Sequence, residues 1–118
     1  MATVNGTVSF PTQTKGDAVK VVWSSMANGD AGAPFEWLAW ADRSIQVNGT
    51  FGTGGTIVWQ GSNDGTNWFS LTDPQGNAIS KTAAALEQVS EVTQYCRPSV
   101  TAGDGTTSLT ATLIARRK

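Results

Sequence analysis

The stretch VWQGSNDGTNWFSL, residues 58–71, decides how the chain is read. Two short apolar runs flank Ser62-Asn-Asp-Gly-Thr-Asn67. Asn and Asp side chains bond to backbone two residues on, and glycine accepts a positive φ. Asn63, Asp64 and Gly65 therefore read as a scaffold turn between strands at 56–61 and 68–72, a β-hairpin. Trp59 and Trp68 stand near either end of it. They are expected to pair across the strands, which stabilises by about 0.5–1.5 kcal/mol beyond area burial. A calcium loop needs alternating oxygen ligands and a later bidentate Glu. Asn63 and Asp64 are adjacent and no Glu follows at that offset, so no metal is expected.

The same grammar extends outward. Within 43–51, Ile45, Val47 and Phe51 fall on one face and Ser44, Gln46, Asn48 and Thr50 on the other. That is the pattern of a half-buried antiparallel strand. Val19, Val21 and Trp23 alternate with polar residues, as do Leu109, Ala111 and Leu113. Ile57 and Trp59 alternate with Val58 and Gln60, which suggests burial on both faces or an edge. Residues 89–100 are rich in β-branched and aromatic types, and Pro98 marks an edge or a bulge. Turn residues recur at 28–30, 52–55, 74–76 and 103–105. Short strands with turns at this spacing predict an all-β, two-sheet antiparallel sandwich. Residues 82–89, TAAALEQV, leave two readings open, a short helix or an extended loop.

Length and charge bound the function. At 118 residues the chain is one domain, 1–118. Charged residues make up 14% and the net charge is −1, which gives no reason to expect nucleic acid, a partner that calls for a basic face. No apolar run approaches a membrane span and no signal peptide is recognisable, so synthesis in a cytoplasm is expected.

Catalytic groupings are missing. The chain has no His, which removes Ser-His-Asp and Cys-His systems and most zinc sites. The lone Cys96 in a strand pattern reads as a small buried hydrophobe. The glycines at 52–55 lack the Lys-Ser/Thr pair of a phosphate loop. No enzyme and no cofactor are expected.

Three features point to partners. Phe35, Trp37 and Trp40 crowd into six residues after a Gly/Asp/Pro loop. If this run is an edge strand, both its faces cannot be core, and exposed aromatics mark partner sites. Subunit contact, core packing and sugar stacking all stand open for it. Arg116, Arg117 and Lys118 form a basic tail after a stretch with nine acids and five bases, a net of −4. That tail is either a solvated end or a contact to an acidic patch on a neighbour. Residues 1–15 hold one charged side chain, Lys15, and the β-formers Val4, Val8 and Phe10, which suits an N-terminal arm or edge strand. Few charges and a dense aromatic run predict self-association as a homodimer or homotrimer.

The words GSNDGTNW (61–68) resemble the hairpin of discoidin-type sandwiches, a likeness specific only to the hairpin. A wider likeness covers about residues 29–117. ADRSIQVNGTFG (41–52), GSNDGTNW (61–68) and RPSVTAGDGTT (97–107) resemble small proteins of tailed bacteriophages encoded near the major capsid protein. The likeness implies a virion structural protein on the capsid surface, a head decoration or cement protein with a jelly-roll-like sandwich. Its implied partner is the major capsid protein, with no nucleic acid or membrane involved. The alternative is a carbohydrate-binding or adhesion module that stacks sugars on Trp37 or Trp40.

Overall fold

The computed structural model describes residues 2–11 and 16–117. Met1, Thr12, Gln13, Thr14, Lys15 and Lys118 lie outside them, and so do the corresponding parts of the expected arm and tail. Twelve strands and no helix form among the described residues. The first six are β1 (Thr3–Val4), β2 (Thr7–Ser9), β3 (Ala18–Met26), β4 (Ala31–Gly32), β5 (Phe35–Glu36) and β6 (Asp42–Thr50). The others are β7 (Thr56–Ser62), β8 (Phe69–Ser70), β9 (Ser80–Lys81), β10 (Ala85–Gln88), β11 (Tyr95–Ala102) and β12 (Ser108–Arg116).

They make two packed sheets, the sandwich that the alternation predicts. One runs β10-β6-β12-β3-β2. The other runs β1-β4-β11-β7-β8, with β5 also on β11 and β9 also on β7. The antiparallel pairings are nested: β3 with β12, β4 and β5 with β11, β6 with β10, and β7 with β8 and β9. A long hairpin rolled up in this way is the double Greek key of a jelly roll.

Burial follows the alternation. Val19, Val21, Ile45, Val47, Ile57, Leu109, Ala111 and Leu113 all point into the core. A bulge adds one more residue to that face. Trp23 pairs with Ala111 but Met26 with Leu109, so Ser24 and Ser25 together oppose Thr110. Ser25 takes φ 57° there. The extra residue restores the inward parity, and both Trp23 and Met26 are fully buried.

Three expectations change. Residues 82–89 are neither helix nor loop throughout: Ala85–Gln88 is a strand, paired residue by residue with Ser44–Val47. Eight residues are too short to hold a helix alone, so pairing with β6 overrides propensity. Pro98 lies in an interior strand, opposite Trp59. Trp59 directs its backbone groups to Ile79 and Leu71 at 3.1 and 2.9 Å. The position without an N–H therefore faces the other side, where the ladder breaks between β4 and β5.

The two tryptophans of the hairpin do not pair. Gln60 faces Ser70 and Gly61 faces Phe69, and this register sends Trp59 inward and Trp68 outward. Trp59 meets Trp23 of the opposite sheet edge-on, at 5.4 Å between centroids and 78° between planes.

The N-terminal segment supplies edge strands of its own sandwich. β1 joins β4 in parallel and β2 joins β3. On the opposite flank, Lys81 of β9 and Glu87 of β10 form an ion pair of 2.6 Å that bridges the sheets.

Candidate functional site

The aromatic run is core, not surface. Trp37 is fully buried, Trp40 is buried and Phe35 packs half-buried against the core. The Trp37 indole N–H donates to Thr93 Oγ1 at 2.9 Å. Arg43 explains how two indoles fit there. It shares the inward parity of Ile45 and Val47, is 5% exposed, and lies 4.0 Å above the Trp37 ring. Its Nε donates to Trp40 O at 2.8 Å, and its two terminal nitrogens donate to Glu91 O at 2.8 Å and Trp37 O at 3.1 Å. Burial pulls its pKa below the ordinary value, with the Cys96 thiol opposing. Three carbonyls and an aromatic face hold this cation, with no carboxylate partner among the described residues.

The basic tail is also spoken for within the chain. Arg116 belongs to β12 opposite Asp42, and its Nε donates to Asp42 Oδ2 at 2.9 Å. Arg117 covers the Trp40 ring at 4.5 Å and donates to Gly16 O. Its backbone N–H donates to Asp17 O at 3.1 Å. Both readings of the tail start it after the last strand, and that start is corrected: the ladder continues through Arg116, where opposite charges face across strands. Lys118 lies outside the described residues.

The loop at Asn63, Asp64 and Gly65 is a turn built on its own side chains. Asp64 Oδ1 accepts from the Thr66 and Asn67 N–H groups at 2.8 and 2.9 Å. Its Oδ2 accepts from Asn67 Nδ2 at 2.8 Å. These bonds, the Asn67 amide first, hold the carboxyl well below the usual carboxylate range. Asn63 Oδ1 accepts from the Gln94 N–H at 3.0 Å, which ties the loop to the chain entering β11. Gly65 takes φ 77°.

The outer face of the seven-stranded sheet carries a cluster that the sequence reading passed over. Register places Tyr95, Arg97 and Ser99 on this face, with Cys96, Pro98 and Val100 beneath. The Arg97 guanidinium lies 4.2 Å above the half-exposed Trp68 ring, and its Nε donates to Gln60 Oε1 at 2.9 Å. Partial burial lowers its pKa from the ordinary value, yet arginine stays charged at neutral pH. Tyr95 stands half-buried one step along the same strand, and its hydroxyl accepts from Gln94 Nε2 at 3.4 Å. Phe69, next to Trp68 in sequence, is 70% exposed but faces the other way, opposite Gly61 and over the cleft with Leu71 and Glu91. Trp, Tyr and Arg are the residues enriched where protein partners dock. The signal was present in the odd-numbered residues of 95–99, had the period been carried through Pro98.

The remaining concavities are modest. A cleft of about 200 Å³ under the hairpin is lined by Asp64, Asn67, Phe69, Glu91 and neighbours. Burial pushes the Glu91 carboxyl up, but hydrogen bonds from the Thr72 hydroxyl and amide overcome it and hold it low. A groove of about 320 Å³ lies beside the Arg116–Asp42 pair. Burial raises the Cys96 thiol well above its ordinary value, against the nearby Arg43 charge. Among the described residues, no three of His, Cys, Asp and Glu gather into a metal-binding group. Asp30, Asp64, Asp73 and Asp104 are instead engaged singly in turns, and Asp42 and Glu87 in ion pairs.

No family model matches the chain. No curated protein matches it either. Among solved structures, the SPBc2 prophage-derived protein YomS superposes with a TM-score of 0.62 at 12% identity, over 88% of this chain and 98% of that one. KdgF from Halomonas sp. gives a TM-score of 0.43 at 14% identity, over 94% of this chain and 78% of that one. At such identity the likeness to YomS establishes a shared fold.

Proposed function

We propose that the chain is a non-catalytic virion structural protein of a tailed bacteriophage, a head decoration or cement protein. It binds and stabilises the major capsid protein lattice on the capsid surface, after synthesis in the bacterial cytoplasm, and it self-associates as a homodimer or homotrimer. The observation that carries this reading is the half-exposed Trp68–Arg97–Tyr95 cluster on the outer face of the seven-stranded sheet, a composition suited to docking on protein. The resemblance of residues 29–117 to capsid-linked phage proteins supports it. So does a fold shared with a protein whose name records a prophage origin.

Sugar stacking on Trp37 or Trp40 loses its rings to the core. An adhesion module would have to use Trp68 instead.

The test mixes the purified chain with capsids of the encoding phage assembled without it. Saturable cosedimentation is expected. Trp68→Ala and Arg97→Ala should each weaken it by about tenfold or more, the cost of losing a central anchor, with unchanged melting. Absence of wild-type binding, or indifference to both substitutions, overturns the reading. Glycan-dependent change in tryptophan fluorescence, lost in Trp68→Ala, would favour the adhesion module.

A further inference from the structure

The five-stranded sheet ends on β10, and this edge lacks the usual protection. At four residues it is the longest edge strand among the described residues; β2 has three, β1, β8 and β9 two each. β6 covers one side of β10, and among the described residues no strand covers the other. Proteins usually blunt such an edge with an outward Lys, a Pro, a bulge or a covering loop. β10 contains no Pro, and its single charge, Glu87, is matched by Lys81 across the sheets. Leu86 is 67% exposed. The edge at the other end of the sheet, β2, runs towards Pro11, which has no N–H to offer.

The direction of the free backbone groups can be read from the ladder. The Val89 N–H donates to Arg43 O at 3.1 Å, and this pair continues the register Ala85 with Val47 and Glu87 with Ile45. Residues that exchange hydrogen bonds alternate along an antiparallel pair. Ala85 and Glu87 therefore turn their N–H and C=O groups towards β6, while Leu86 and Gln88 turn theirs outward.

The geometry points to a second copy of this chain as the occupant of the edge: two β10 strands pair antiparallel about a two-fold axis centred on Leu86. A two-fold axis sets one residue opposite itself, as a hydrogen-bonded pair where its backbone groups point outward (Leu86, Gln88) and as a non-hydrogen-bonded pair where they point to β6 (Ala85, Glu87), so the side chains choose the register. Centring on Leu86 apposes two leucines on the outer face, Ala84 with the partner's Gln88, and Ala85 with the partner's Glu87. Centring on Gln88 or on Ala85 forfeits the leucine pair, and centring on Glu87 apposes like charges. The result joins two five-stranded sheets into one continuous sheet and leaves the Trp68 face free. The inference names the interface of the self-association proposed above and rests on that part alone.

The test reads the isolated chain, so a failure of capsid binding does not touch it. Sedimentation between about 1 and 100 µM, the range expected of a small interface, should show a monomer–dimer equilibrium. Leu86→Lys should raise the dimer dissociation constant by about tenfold or more, because two lysines would then face each other at the edge. Its circular dichroism and melting should stay as in the wild type. Leu86→Cys should form a disulfide dimer on mild oxidation, since Cα atoms of a hydrogen-bonded pair stand about 5.5 Å apart, within disulfide reach. Thr112→Cys, on the middle strand of the same face, should not. Buried Cys96 does not compete. A strict monomer or a trimer overturns the inference, and so does a dimer indifferent to Leu86→Lys or equal crosslinking of the two cysteine variants. If the wild type is monomeric and Leu86→Lys loses only capsid binding, the edge takes a capsid strand and the two-fold pairing falls.

Discussion

Arg43 lies 4.0 Å above the indole of Trp37 inside the sandwich and gives its guanidinium protons to backbone carbonyls. The aromatic run 35–40 can turn into the core because this side chain collects the carbonyls of Trp37, Trp40 and Glu91 as the chain bends. Arg43→Ala leaves these three acceptors short of donors and removes the ring's cover. The expected loss is about 2–4 kcal/mol. Arg43→Lys should recover only part, since an ammonium lacks the planar fork that reaches all three. Urea unfolding checks this through the midpoint at constant slope.

Trp23 and Trp59 meet edge-on in the core but differ in one bond. The Trp23 indole N–H donates to Ala33 O at 3.1 Å, whereas that of Trp59 is buried without a hydrogen-bond partner among the described residues. Trp23→Phe should therefore cost more than Trp59→Phe, by about 1 kcal/mol, the net worth of a hydrogen bond to a buried carbonyl. Paired denaturant curves decide it, and equal losses would contradict it.

Two turns make the fold acid-sensitive. Asp64 is held low by the Asn67 and Thr66 amides, and Asp104 by the Thr106 hydroxyl and the Thr53 and Thr106 amides. Their folded pKa values lie below the unfolded value of about 3.9, so in acid the unfolded chain binds more protons. The stabilisation they add is full above about pH 5 and is lost as pH falls through 4 and below. The double variant Asp64→Asn, Asp104→Asn should be less stable at pH 7 and should show a flatter decline between pH 5 and 2. Urea midpoints across that range measure both effects.

At Gly65, φ is 77° and an added Cβ would meet only the Tyr95 ring at 3.6 Å. Space is available, so the cost of a side chain is conformational. Gly65→Val should lose about 1–2 kcal/mol, while Gly65→Asn should lose less, because Asn tolerates the left-handed region. Asp64→Ala should lower melting yet leave partner binding intact, since the carboxylate is spent on its own loop. Loss of binding with unchanged melting would make Asp64 a contact residue.

The exposed Arg116–Asp42 pair is worth about 0–1 kcal/mol and is screened by salt. Arg117 adds packing on Trp40. Deletion of residues 116–118 should therefore lower melting by a small, partly salt-independent amount in the isolated chain. A tail that only solubilises would leave melting unchanged at every salt concentration.

The elements legible in the sequence are those decided over a few residues. Ile45 and Val47, Val19, Val21 and Trp23, and Leu109, Ala111 and Leu113 announce their strands because side chains alternate with period two. The turn at 63–65 is equally local: Asp64 bonds to amides two and three residues on. What the tertiary structure decided was which face each side chain meets and what lies opposite. Trp68 differs from Trp59 only through the register of β7 against β8, which sends one outward and one inward. Arg43 becomes core because the turn at 37–40 and the distant Glu91 bring their carbonyls to it together. Residues 85–88 become a strand because β6 offers an unpaired ladder, which outweighs a weak helical preference. Arg116 stays in its strand because Asp42 stands opposite. Local backbone preferences amount to fractions of a kcal/mol per residue, so pairing and burial with distant segments override them wherever the two compete.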